Sequence, residues 1–297
     1  MRRISLFLFV LLAGACKATA QASWDLPPGV KSVSVNGYPM AYVERGEGPT
    51  VVLVHGALND YRYWSPQIET LARRFRVVAV SLRHYYPEPW KGKGGDFSFR
   101  QHADDLAQFI EHVGRGPVNL VGHSRGGGVV FQTAIMWPDL VRRLVMMDPG
   151  IYSLLPAPSG ASPADPRPAR IKGLAEHFQR GDIDGGLEFY IDDVNGAGTW
   201  KQRSEAQRQI ARDNAWTPLG ELNEPPPSFT CADVASLRMP VLLMTGEKSP
   251  RRYATIQDVV QKCLPSVKRV KIPGAAHQMN LMNPEAFDAA LSQFLAD

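Results

Sequence analysis

The chain has 297 residues, 44% of them apolar, 21% charged and 9% aromatic, enough for one sizeable core or a core with an insertion. Those proportions exclude disordered, collagen-like and disulfide-scaffold classes. Lys and Arg outnumber Asp and Glu by 33 to 29, a formal charge of +4, and no run of like charges gathers that excess into a nucleic-acid footprint.

Met1-Arg2-Arg3 opens with charge, Ile4 to Ala15 is almost wholly apolar, and Ala18-Thr19-Ala20 offers small residues at signal-peptidase spacing. Residues 1–20 therefore read as a signal peptide and the mature protein as periplasmic or secreted. Leu12-Ala13-Gly14-Ala15-Cys16 also resembles a bacterial lipoprotein signal, in which Cys16 would become an acylated first residue. The apolar run is about a dozen residues, short of the ~20 that span a bilayer, so no integral membrane span is expected. Cleavage after Ala20 removes Arg2, Arg3 and Lys17 and lowers the charge from +4 to +1. In an oxidising compartment Cys231 and Cys263 either pair as a disulfide or stay as buried thiols.

Beyond the leader, short β-branched runs alternate with helical patterns, the signature of a mostly parallel sheet with crossover helices. Lys31 to Val35 and Met40 to Glu44 flank Asn36-Gly37, a hairpin turn signal. Thr50 to His55, Arg76 to Val80, Val118 to Val121, Leu144 to Asp148, Val241 to Thr245 and Lys268 to Ile272 complete eight predicted strands, several apolar throughout as strands buried on both faces are. Helical patterns cover Trp64 to Ala72, Phe99 to Val113, Gly126 to Met136, Tyr253 to Cys263 and Pro284 to Leu295. From Gly150 to Ala235 strand signals vanish; Pro156 to Pro168 and Pro225 to Pro227 read as entry and exit linkers. The expected organisation is a core of residues 21–149 and 236–297 with a helical lid, residues 150–235, over the sheet.

Gly122-His123-Ser124-Arg125-Gly126 lies between a predicted strand and a predicted helix, where a tight turn needs glycines around a strained serine, and Ser124 is the candidate nucleophile. A serine at neutral pH needs a base. Seven histidines compete, and His277 leads because its loop follows the last strand and so lies at the carboxyl edge of the sheet with Ser124. His102, His112 and His177 fall on helical patterns, His84 follows a strand and can line a pocket, and His55 reads as a loop-fixing residue. The backbone N–H of Arg125, at the helix start, is one candidate donor to an oxyanion.

The serine pentad, His55-Gly56 after a strand, the insertion and the late His277 together resemble the α/β-hydrolase superfamily, from about Val33 to the C-terminus. The resemblance implies a mostly parallel eight-stranded α/β sheet with flanking helices. It also implies a second oxyanion donor at Ala57 and an acid after Val241 to Thr245. The chain has Gly246-Glu247-Lys248-Ser249 there, with Ser249 where the family's Asp stands, so the acid is expected at Asp148, one strand earlier, with Glu247 as the alternative. Loops matching those of Trp64, His84 and Tyr85 shape the substrate pocket in relatives; in the insertion, Trp200 and Trp216 are the further expected substrate contacts, with Tyr152, Phe178, Phe189 and Tyr190 adding apolar surface. No metal-ligand or phosphate-loop spacing is found, and no cofactor is expected. The implied activity is a serine hydrolase cleaving a small-molecule carboxylic ester or lactone. A carbon-carbon hydrolase on a diketone-like substrate would use the same triad, and Ser249 at the acid position leaves a noncatalytic binder open. Epoxide hydrolase and haloalkane dehalogenase relatives carry Asp where Ser124 stands.

Overall fold

A computed structural model describes residues 24–296 except 95, 114, 157–164 and 226. The expected signal peptide, Cys16 and parts of both Pro-rich linkers lie outside the described residues. Eight strands, β1 (Lys31–Val35), β2 (Tyr38–Arg45), β3 (Thr50–Val54), β4 (Arg76–Val80), β5 (Val118–His123), β6 (Val141–Met147), β7 (Val241–Gly246) and β8 (Lys268–Ile272), form one sheet in the order β1-β2-β4-β3-β5-β6-β7-β8. The β1–β2 and β2–β4 pairs are antiparallel and all others parallel. Asn36 and Gly37 both take positive φ, as a two-residue hairpin turn requires.

Alternation along the strands divides the apolar residues between two faces. Val52, Val54, Leu120, Leu144 and Leu243 meet helices α2 (Phe99–Val113), α3 (Arg125–Met136) and α10 (Arg251–Cys263). Val51, Leu53, Val121, Val145 and Met244 meet α1 (Ser65–Leu71) and α12 (Pro284–Ala296) on the other face. Burial on both sides explains why these strands read as unbroken apolar runs.

Between β6 and β7 the described chain is helical: α4 (Arg167–Gln179), α5 (Ile183–Asn195), α6 (Thr199–Gln202), α7 (Glu205–Asp213), α8 (Thr217–Gly220) and α9 (Cys231–Ala235). The insertion has a core of its own, with Ile171, Leu174, Phe178, Leu187, Ile191 and Trp200 closing on Leu58 of the sheet-edge loop. A last short helix, α11 (Met279–Met282), precedes α12. Strand order reverses between β4-β3 and β3-β5, so the loops after β3 and β5 part there and open the crevice in which doubly wound sheets bind ligands.

Cys231, the first residue of α9, and Cys263, the last of α10, are joined by a disulfide across 32 residues. It ties the end of the insertion to the sheet-packing helix. Replacing both cysteines with serine is expected to lower the unfolding free energy by about 3 kcal/mol through the added entropy of the open loop, measured by urea unfolding.

Candidate active site

β5 ends at His123 and α3 begins at Arg125, leaving Ser124 to make the whole turn at φ 53° and ψ −116°. That backbone costs a side-chain-bearing residue on the order of 1–3 kcal/mol. It is pinned by the Ser124 N–H donating to the Met147 carbonyl at 2.9 Å and by the Gly150 N–H donating to the Ser124 carbonyl at 2.8 Å. The glycines are there for space. A Cβ on Gly122 would lie 2.4 Å from the Gly126 carbonyl oxygen, one on Gly126 would lie 2.3 Å from the His55 carbonyl oxygen, and one on Gly56 would meet Ser124 Cβ at 2.9 Å.

Asp148 follows β6 at φ 40° and is fully buried. Thr245 Oγ1 and Ser249 Oγ each donate to its carboxylate at 2.6 Å, and His277 Nδ1 lies 3.2 Å from Oδ2. Burial pushes the Asp148 pKa up to about 7, while the Ser249 and Thr245 hydrogen bonds pull it down. Ser249, at the position where the resemblance places an acid, thus supplies a hydroxyl to a carboxylate from the neighbouring strand. Glu247 is exposed and accepts a hydrogen bond from the Gly274 N–H at 2.8 Å; among the described residues no hydrogen bond or ion pair joins it to His277.

His277 is buried with its ring stacked on Tyr253, 4.4 Å between centroids. Its Nε2 is 3.4 Å from the Tyr253 hydroxyl. Desolvation holds the imidazole well below its ordinary pKa, and the charges of Arg252, Arg170 and Arg203 add to that effect. His277 is therefore neutral at pH 7, with Nδ1–H toward Asp148 and Nε2 free to accept a proton. Ser124 and His277 line the same cavity, although no hydrogen bond between them is recorded among the described residues.

His123, inside the pentad, escapes sequence reasoning. Its Nε2 lies 2.9 Å from the His277 carbonyl, its ring stacks on Tyr63 at 5.0 Å, and its buried Nδ1 has no partner. It fixes the backbone of the His277 loop. Burial holds it, too, well below the ordinary imidazole pKa. His55 accepts from the Leu82 N–H through Nε2 and contacts the Gly56 carbonyl through Nδ1, as a loop-fixing residue does.

Ala57 and Arg125 both line the cavity, and neither backbone N–H has an acceptor among the described residues. The Arg125 side chain reaches Glu224 at 2.8 Å and Glu221 at 3.5 Å, clasping the helix start to the end of the insertion. The cavity is narrow, with about 530 Å³ of empty space between its walls.

The expected substrate contacts need correction. None of Trp64, His84, Tyr85, Trp200 and Trp216 lines this cavity. Trp64 is buried against the sheet beside Tyr63, Tyr85 packs edge-on to His55, and His84 is held by Glu88 and Asp96 at 3.0 and 2.7 Å under Trp90. Trp200 and Trp216 close the insertion's own core. Large rings bury more apolar area there than a narrow cavity offers. The walls instead include Tyr152 and Tyr190, two of the insertion aromatics expected to add surface, and the arginines Arg167, Arg170 and Arg203, which no sequence motif marks.

Residues 49–186 match the family described as alpha/beta hydrolase fold, and the eight-stranded sheet with its serine turn after β5 has that architecture. By that match and that architecture the chain has the α/β-hydrolase fold. It is 27% identical over 265 residues to 2-(acetamidomethylene)succinate hydrolase of Mesorhizobium japonicum, spanning 85% of this chain and 90% of that one. Its fold is similar to that of a thermophilic esterase from Thermogutta terrifontis, with a TM-score of 0.69 at 24% identity over 90% of this chain and 97% of that one. It is also similar to that of the enol-lactonase from Burkholderia xenovorans LB400, with a TM-score of 0.72 at 17% identity over 90% of this chain and 100% of that one.

The Ser249 hydroxyl favours the ionised form of Asp148, and an imidazolium at His277 needs that form. Ser249→Ala is therefore expected to raise the Asp148 pKa further and to move the acid limb of fluorophosphonate labelling from near pH 7 to higher pH. The shift should be up to about one unit, the worth of one hydrogen bond to a charged group. A pH–rate profile of labelling checks it.

Proposed function

We propose that this chain is a serine hydrolase that cleaves a carboxylic ester or lactone through an acyl-enzyme intermediate. The observation that carries the reading is a serine at positive φ on the wall of the same cavity as a neutral imidazole, itself bonded to a buried carboxylate. Ser124 Oγ attacks the carbonyl carbon while His277 Nε2 takes its proton. Asp148 holds Nδ1–H and stabilises the imidazolium. The developing oxyanion faces the N–H groups of Ala57 and Arg125. The tetrahedral intermediate collapses, His277 passes its proton to the leaving alkoxide, and a water deprotonated by His277 releases the acid. In this reading Tyr253, within 3.4 Å of Nε2, yields its place to the Ser124 hydroxyl when substrate enters, since catalytic hydrogen bonds are often long in the free enzyme.

The reading includes export. The leader pattern of residues 1–20 supports it, and a disulfide between Cys231 and Cys263 suits an oxidising compartment. Among the described residues no helix is long and apolar enough to cross a membrane.

Hydrolysis of 4-nitrophenyl esters from acetate to octanoate tests the chemistry. Ser124→Ala is expected to lower kcat by about a thousandfold or more, Asp148→Asn by about a hundredfold or more, and Glu247→Gln by less than about twofold. Folded wild type that neither turns over any ester nor reacts with a fluorophosphonate would falsify the reading and favour a noncatalytic binder.

A further inference from the structure

The charges around the cavity do not balance. Four guanidinium side chains line it, Arg125, Arg167, Arg170 and Arg203, against one carboxylate, Glu221. Three of the four are engaged elsewhere. Arg125 bonds Glu224, Arg167 bonds Asp165 at 2.6 Å, and Arg170 Nε bonds Asp193 at 2.6 Å. Glu221 lies near Arg125 and Arg167, at 3.5 and 4.0 Å.

Arg203 has no such partner. It follows α6, is 7% exposed, and makes no ion pair or side-chain hydrogen bond among the described residues; its buried Nε is unmatched. Asp192, whose charge reaches it, already accepts from the N–H groups of Gly198 and Trp200 at 2.7 and 2.8 Å. Desolvation lowers the pKa of Arg203 to about 10, which leaves it charged at neutral pH. Arg170 offers a second free donor, because its buried Nη2 is unpaired beyond the bond that anchors its Nε.

A guanidinium desolvated without a counter-ion costs several kcal/mol, and evolution usually pairs it. Resting on the serine hydrolase reading above, we propose that the substrate carries a carboxylate besides its scissile acyl group, and that Arg203 selects it, with Arg170 as a second donor. The substrate class is then a monoester of a short dicarboxylic acid or its lactone equivalent. Arg125 keeps only an unpaired Nε, because its Nη1 bonds Glu224 at 2.8 Å and its Nη2 lies 3.5 Å from His102 Nδ1. The assignment also bears on the base: Arg203 and Arg170 both depress the proton affinity of His277, and an anion seated on them offsets that effect as the substrate arrives.

Two measurements test this. Calorimetry and thermal melting on the wild type and on Ser124→Ala use succinate, glutarate and adipate, with monocarboxylates of matched length as controls. At least one dicarboxylate is expected to bind about tenfold or more tighter than its control and to raise the melting temperature. Arg203→Gln should lose that advantage and Arg203→Lys keep part of it, because Lys keeps the charge but loses the planar fork. In kinetics, the ratio of kcat/KM for methyl hydrogen succinate to that for methyl 4-methylpentanoate, its neutral isostere, should fall about tenfold or more in Arg203→Gln. Arg203→Gln should melt no lower than wild type, since it removes an unpaired buried charge. Wild type that prefers no dicarboxylate over its control overturns the proposal however the variants fold. Ester turnover that depends on Ser124 but ignores the carboxylate sinks this proposal alone, whereas dicarboxylate binding that depends on Arg203 without labelling of Ser124 sinks the hydrolase reading and leaves the anion site.

Discussion

The buried carboxylate of Asp148 organises one end of the sheet. A charge with no solvent access must be matched by donors, and the donors come from three places: Thr245 at the end of β7, Ser249 in the loop after it, and His277 in the loop after β8. Desolvation of this one group thereby fixes the relative positions of the loops following β6, β7 and β8. It also sets the chemistry of His277, since an Nδ1–H held toward Asp148 leaves Nε2 as the free acceptor. Ser124 is tied into the same arrangement through its backbone, which donates to Met147 one residue before Asp148.

The insertion supplies what the sheet does not. Its apolar residues close their own core, and its arginines turn toward the cavity. Two of those arginines are matched within the insertion, Arg167 to Asp165 and Arg170 of α4 to Asp193 of α5, and Arg125 at the start of α3 reaches across to Glu224. The Arg125–Glu224 bond holds the insertion against the serine turn, while among the described residues Arg203 is buried without an ion-pair partner. The cavity consequently mixes arginines with Tyr152, Tyr190, Ile191 and Val194, while Phe178, Trp200 and Trp216 of the insertion lie away from it. A chain whose composition suggests an aromatic pocket carries a cationic one.

Much of the architecture is legible residue by residue. Apolar runs such as Thr50 to His55 and Val241 to Thr245 mark strands because both sheet faces are covered, and Asn36-Gly37 marks a hairpin because few residues tolerate two successive positive φ angles. Where the reading stops short, context explains it. β2 begins at Tyr38 rather than Met40 because Tyr38 pairs with Val35 across the tight turn. α1 begins at Ser65 because Tyr61–Trp64 forms a tighter helical turn first. The short helices α6 and α8 carry no periodicity long enough to read. The resemblance implies Trp64 and Tyr85 for the pocket and the aromatic content of the insertion implies Trp200, and neither says which way a ring turns. No local pattern gives His123 a role, since its contacts, Tyr63 and the His277 carbonyl, are remote in sequence.

The sequence by itself determined the fold class, the serine turn and the short list of chemical groups, because each depends on local rules: strand period, glycine where no Cβ fits, a loop at a strand's carboxyl end. Tertiary structure decided the rest. That Asp148 rather than Glu247 faces His277, that Ser249 donates to this carboxylate, and that Arg203 is left unpaired while Arg125 is matched all follow from long-range packing between β6, β7, β8 and the insertion. Such pairings depend on which side chains are desolvated together, and desolvation is a property of the folded arrangement that no local pattern encodes.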